Sequence, residues 1–166
     1  MVNREYRREM LYCGILNNGI VETALCYLPD NIWNQINGKI AITTLNSDAC
    51  RLAQKICKHD EIVVLSPWIF TYIPAGACEA DREFRYFIFC ILHEIAHAIL
   101  KHSPPEELSS KENEEQEDEA DKYAIEWFNK YVLENARKGL TQINIEEIRE
   151  IQEEYQRKTA QLINWG

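Results

Sequence analysis

Residues 81–102 constrain the fold more than any other stretch, because their apolar side chains leave almost no face of a helix for water. Phe84, Phe87, Ile88, Ile91, Leu92, Ile95 and Ile99 recur at helical spacing and cover most of the circumference. A helix apolar nearly all round is buried between other elements. Ser103-Pro104-Pro105 stops it. Into this helix the sequence inserts His93, Glu94 and His97. Two histidines four apart stand about 40° apart around the axis, so both imidazoles leave one face and can share a zinc ion. Glu94 points at the neighbourhood of that ion, where a carboxylate can act as general base on the attacking water. With no metal nearby, a carboxylate beside Leu92 and Ile95 would be a costly insertion.

The remaining chain supplies what such a helix needs around it. A length of 166 residues suits one domain with a real core and is short for two, so residues 1–166 are read as a single unit. The longest apolar run, residues 86–92, is far too short to span a membrane. The charged start, Met1 to Glu9, has no apolar signal core behind it, which places the protein in the cytoplasm. The six cysteines are dispersed without a Cys-x-x-Cys pair and are expected to be reduced and structural. A net charge of −9 with no basic patch argues against direct nucleic-acid binding.

The first sixty residues read as β-rich. Asn18-Gly19 and Asn37-Gly38 are flanked by apolar, β-branched segments, a strong hairpin signal. Strands are expected near 11–16, 20–28 and 39–45, with 31–36 either strand or short helix, a helix over 47–57 and a strand over 61–66. The fold class is therefore α+β: a small, antiparallel-dominated sheet packed on the buried helix and on further helices. After a polar loop over 103–112, a second long helix begins near Ser109, where Ser109 and Glu112 form a capping box. Its first turns are acidic, Arg137 and Lys138 close it, and Gly139 caps it. An amphipathic helix over about 144–163 carries Ile145, Ile148, Ile151, Tyr155 and Leu162 on one side, to pack on its own domain.

A hydrolytic zinc site keeps three protein ligands and one open position, so the third ligand must come from another element. The second long helix is rich in acids, and its apolar stripe of Ala120, Ala124, Trp127, Phe128 and Tyr131 chooses among them. Extended toward the N-terminus, that stripe reaches Glu117, while Glu119 lies about 160° away, toward solvent. Glu114 is the second choice. Asp121, one turn after Glu117, can accept a hydrogen bond from the free ring nitrogen of a ligating histidine. Ala96, Ala120 and Ala124 are small enough for the two backbones to approach closely. His102 is read as an end-of-helix cation and His59 as solvated.

His93-Glu-x-x-His97, about twenty residues, then Glu117-x-x-Ala120-Asp121 is similar to the glutamate-type zincins. The wider stretch, Ile-Leu-His-Glu-Ile-Ala-His-Ala-Ile-Leu-Lys-His with Glu-Asp-Glu-Ala-Asp-Lys-Tyr-Ala, resembles the ImmA/IrrE family of small cytoplasmic metallopeptidases over residues 61–131. Ala96 stands where that family often has glycine. The resemblance implies a minimal zinc peptidase holding one Zn2+, with His93, His97 and Glu117 as ligands, Glu94 as general base and Asp121 behind a ligand. It also implies a protein substrate such as a DNA-binding, repressor-like regulator. An extended substrate is expected to pair with a sheet edge, assigned to residues 62–65, and Tyr72 or Tyr123 could supply an oxyanion donor. The competing reading is a zinc-bound interaction module that cleaves little or nothing. Glu94, useless to a purely structural site, favours the peptidase.

Overall fold

The computed structural model of the protein describes residues 11–12, 18–44, 50–52, 61–65, 76–135 and 140–163. Their order is β1 (Leu11–Tyr12), α1 (Asn18–Leu25), α2 (Asp30–Ile36), β2 (Ile40–Thr44), β3 (Cys50–Leu52), β4 (Glu61–Leu65), α3 (Arg82–Leu100), a 3-10 turn (Pro105–Glu107), α4 (Ser110–Asn135) and α5 (Ile145–Ile163). Helices and a small sheet both contribute, as an α+β reading requires, but the sheet differs from expectation. Its strand order is β1-β2-β4-β3. β1 runs parallel to β2, and β2 parallel to β4, with Ile42 opposite Val63; the β3–β4 pairing alone is antiparallel.

The antiparallel-dominated sheet is thus corrected, and the reason lies in the two Asn-Gly pairs. Asn18 and Gly19 open α1 instead of a hairpin. Val21, Ala24, Leu25 and Leu28 are all buried, a spacing of three, four and seven that serves a helix. The β-branched residues around Gly19 suggested a strand, but packing overrode that propensity. Asn37 and Gly38 do form a turn, with Gly38 at φ 76°, yet it joins α2 to β2. Parallel strands need a long crossover, and the helices α1 and α2 lie between β1 and β2. Of the helix expected over 47–57, residues 50–52 are strand, and its other residues lie outside those described.

β4 is interior to the sheet, between β2 and β3, and Val63, Val64 and Leu65 are fully buried. A strand paired on both sides has no free ladder to offer, so residues 62–65 are not the expected substrate edge; β1 and β3 hold the edges among the described residues.

The buried helix expected from the sequence is α3. It packs against α1, α4, α5, β3 and β4, which is why it needs an apolar surface on nearly every side. Phe87, Ile88, Ile91, Leu92, Ile95 and Ala96 are at or below 1% exposure. The capping box forms as expected: the Ser109 N–H donates to Glu112 Oε2 at 2.9 Å, and the Glu112 N–H faces Ser109 Oγ at 3.4 Å. α5 is fastened to the start of α3 by two arginines. Arg85, only 9% exposed, donates to Glu147 Oε1 at 2.5 Å and to Thr141 Oγ1. Arg82 reaches Glu154 at 3.0 Å and Glu150 at 3.2 Å. Asn129 pairs with both the N–H and the carbonyl of Ile143, at 2.8 and 2.9 Å, which ties α4 to the segment before α5.

Candidate metal centre

His93 and His97 leave the same face of α3, and the burial of α3 holds them toward α4. Their Nε2 atoms lie 3.0 Å apart. Glu117, on α4, brings Oε2 to 3.3 Å from His93 Nε2 and Oε1 to 3.6 Å from His97 Nε2. One ligand atom from each of these three residues falls within 4.8 Å of the other two, and they are the one such group among the described residues. Glu114 is exposed and outside it. Two imidazole nitrogens and a carboxylate oxygen form the donor set expected of an open zinc site. Close approach depends on small residues: Ala96 on α3 and Ala120 and Ala124 on α4 are all fully buried.

The outer face of the histidine pair is also engaged. His93 Nδ1 is 2.8 Å from Asp121 Oδ1, one turn along α4 from Glu117. That contact leaves Nε2 of His93 as the nitrogen facing Glu117. Glu94 is buried at 9% exposure, and its charge adds to the field that holds a proton on His93. Burial disfavours the His93 imidazolium, but hydrogen bonds with Asp121 and Glu117 outweigh that cost and raise its pKa to about 9. Glu117 is held below the ordinary carboxylate range, first by its hydrogen bond with His93 and then by the histidine charges around it. The group therefore favours a proton on His93 at a place where a cation could replace it.

His102 is where the sequence reading fails. Expected as an end-of-helix cation, it is buried at 7% exposure, with Nδ1 2.9 Å from His97 Nδ1 and Nε2 3.2 Å from Glu119 Oε2. On a continued helix, a residue five after His97 would be out of phase with it. The helix does not continue: Lys101 adopts the left-handed conformation, φ 57° and ψ 42°, and the His102 N–H bonds to the His97 carbonyl at 3.1 Å. That is a Schellman ending, which folds the second residue past the cap onto the helix's last turn. The Pro104-Pro105 stop marks a helix end in the sequence, but helical spacing does not reach the residue after the cap, which this ending folds back.

Tyr123 lies tilted against Trp127, with ring centroids 5.8 Å apart, and is half-buried against the core. Tyr72 and His59 lie outside the described residues. Cys26, Cys78 and Cys90 are thiols outside any disulfide. Burial pushes the Cys90 thiol up to about 12, which makes it a poor nucleophile. No helix among the described residues is long and apolar enough to cross a membrane.

Residues 86–165 match the family model of Peptidase U49. The matched segment begins one turn into α3, contains all of α4 and ends beyond α5, so it includes the whole histidine–carboxylate group and none of the sheet. It is similar to a peptidase family, and the match does not specifically indicate the ImmA/IrrE group. Comparison with curated proteins and with solved structures gives no match.

Proposed function

We propose that this chain is a zinc-dependent endopeptidase of the cell interior, with one Zn2+ held by His93, His97 and Glu117. The observation that carries the reading is the convergence of these three side chains beside Glu94, within a segment similar to a peptidase family. The donor set fits zinc in chemistry as well as number, because both ligating nitrogens are Nε2 and each imidazole has its second nitrogen occupied by an outer partner. Bound there, the ion would supply Lewis-acid chemistry, acidifying water and polarising the scissile carbonyl. Glu94, held in place by the buried helix, takes the proton of the attacking water and delivers it to the leaving amine. Asp121 holds the His93 ring so that its Nε2 lone pair faces inward. The substrate is a protein, and by the resemblance of the motifs its class is a DNA-binding regulator.

The test uses the full chain, a fluorescence-quenched peptide library and zinc analysis. Wild-type protein is expected to bind one zinc per chain and to cleave peptides, with cleavage lost to a chelator and restored by zinc. Glu94→Gln should keep its zinc while its rate falls by about 10²- to 10⁴-fold, the contribution of a positioned general base. Cleavage by Glu94→Gln at the wild-type rate would remove Glu94 from that role. A zinc-loaded wild type that cleaves nothing would favour the interaction-module reading instead.

A further inference from the structure

The two histidines of the centre are supported differently. Behind His93 stands a carboxylate, Asp121; behind His97 stands a second imidazole, His102, with a carboxylate, Glu119, behind that. We propose that Glu119 and His102 are positioning residues, a two-step hydrogen-bond relay that fixes which nitrogen of His97 carries its proton and so keeps the other free for the metal. The proposal rests on the zinc reading above and extends it to residues outside the ligand set.

The proton accounting allows one arrangement. His97 Nε2 faces His93 and Glu117, so it must offer a lone pair to an ion between them. A neutral imidazole has a single N–H, which places the His97 proton on Nδ1. That N–H points at His102 Nδ1, 2.9 Å away, which must therefore accept. His102 then carries its own proton on Nε2 and donates it to Glu119 Oε2 at 3.2 Å. Each donor meets an acceptor along the whole line. Reversing it would put the His97 proton on Nε2 and remove a metal ligand. The fold commits resources to this arrangement: His102 is buried, and Lys101 is the one non-glycine residue with positive φ among the described residues. Left-handed backbone is strained for a residue that bears a side chain, and here that turn seats His102 against His97.

Four variants of the full chain test this, read by zinc affinity in chelator competition and by the 15N shifts of the histidine rings. His102→Phe keeps an aromatic ring but cannot accept a proton, and should weaken zinc about 10- to 100-fold, the usual effect of losing an outer partner. His102→Gln restores an acceptor and should recover most of that loss. Glu119→Ala, on a half-exposed side chain, should cost less, about 3- to 10-fold. Asp118→Ala, a neighbouring acid turned toward Arg149, should change nothing. Ring spectra of the zinc-loaded wild type should place the His102 proton on Nε2. The relay is overturned if folded His102→Phe and Glu119→Ala both bind zinc as wild type does, or if that proton sits on Nδ1. Should His102→Phe fail to fold, Glu119→Ala and the ring spectra decide between the same two outcomes. A wild type that takes up no zinc would overturn the zinc reading itself, which separates that failure from failure of the relay alone.

Discussion

α3 and α4 lie side by side and contribute to one centre by opposite means. α3 is buried on nearly every side, and its histidines are held because the helix has nowhere to move. α4 is acidic and largely exposed, with only Ala120, Ala124, Trp127, Phe128 and Val132 buried along it. Its carboxylates reach the centre because a narrow alanine seam lets its backbone come close. The two imidazoles therefore depend on the core as a whole, and the Glu117 carboxylate on one seam. A site shared between a rigid and a solvated helix places its weak point on the solvated one.

The largest expected effect comes from the exposed partner. Glu117→Ala should weaken zinc by more than about 100-fold, beyond the range for an outer partner, whereas Glu114→Ala three residues earlier should leave zinc affinity at the wild-type value. Equal losses from the two would mean that α4 is rotated from its described position. The seam is next: Ala124→Leu should cost about 1–3 kcal/mol through overpacking and weaken zinc as well, while Glu126→Leu on the exposed face should stay within about 0.5 kcal/mol. Urea unfolding with zinc titration reads both quantities, and an unaffected zinc affinity in Ala124→Leu would show that close approach is not what delivers Glu117.

These two helices were also the most legible part of the sequence, for a physical reason. The period of 3.6, the proline stop and the Ser109–Glu112 cap are local signals, and the structure shows a helix over Arg82–Leu100, its end before the prolines, and the cap. Glu117 could be placed beside the two histidines, among many acids, because an apolar stripe extrapolates reliably over one turn. The sheet was less legible because strand pairing is decided by residues far apart in the chain. Asn18-Gly19 obeys a local hairpin rule, yet the helix it opens is chosen by what Val21, Ala24 and Leu25 pack against. His102 escaped notice because a chain that leaves its helix stops obeying the helix's period.

The pH dependence sharpens the comparison, since His93 on α3 holds its proton through carboxylates on α4. In the ion-free protein its pKa is raised from 6.5 to about 9, so at neutral pH zinc must expel that proton, and affinity should rise with pH until about 9 and then level off. The ion-free fold should behave oppositely. A raised folded-state pKa contributes stability that is fully present below 6.5 and is lost as pH rises through about 9. Thermal unfolding from pH 6 to 10, with and without zinc, should show the gap between the two forms widening with pH; a constant gap would mean that His93 holds no proton to displace. The smallest effect is expected at the helix end. Lys101→Gly removes the left-handed strain and should stabilise by about 1 kcal/mol with zinc affinity unchanged, where a loss of affinity would show that the lysine side chain itself serves the centre.

Because helices α1, α4 and α5 and strands β3 and β4 all rest on α3, unfolding of these elements removes the packing that spaces the imidazoles. Ion capture at this centre, as proposed, would therefore be linked to global folding. Free zinc at a hundred times its dissociation constant should add about 2.7 kcal/mol to the whole chain's resistance to unfolding, and that increment should register at positions as distant from the ion as Trp33.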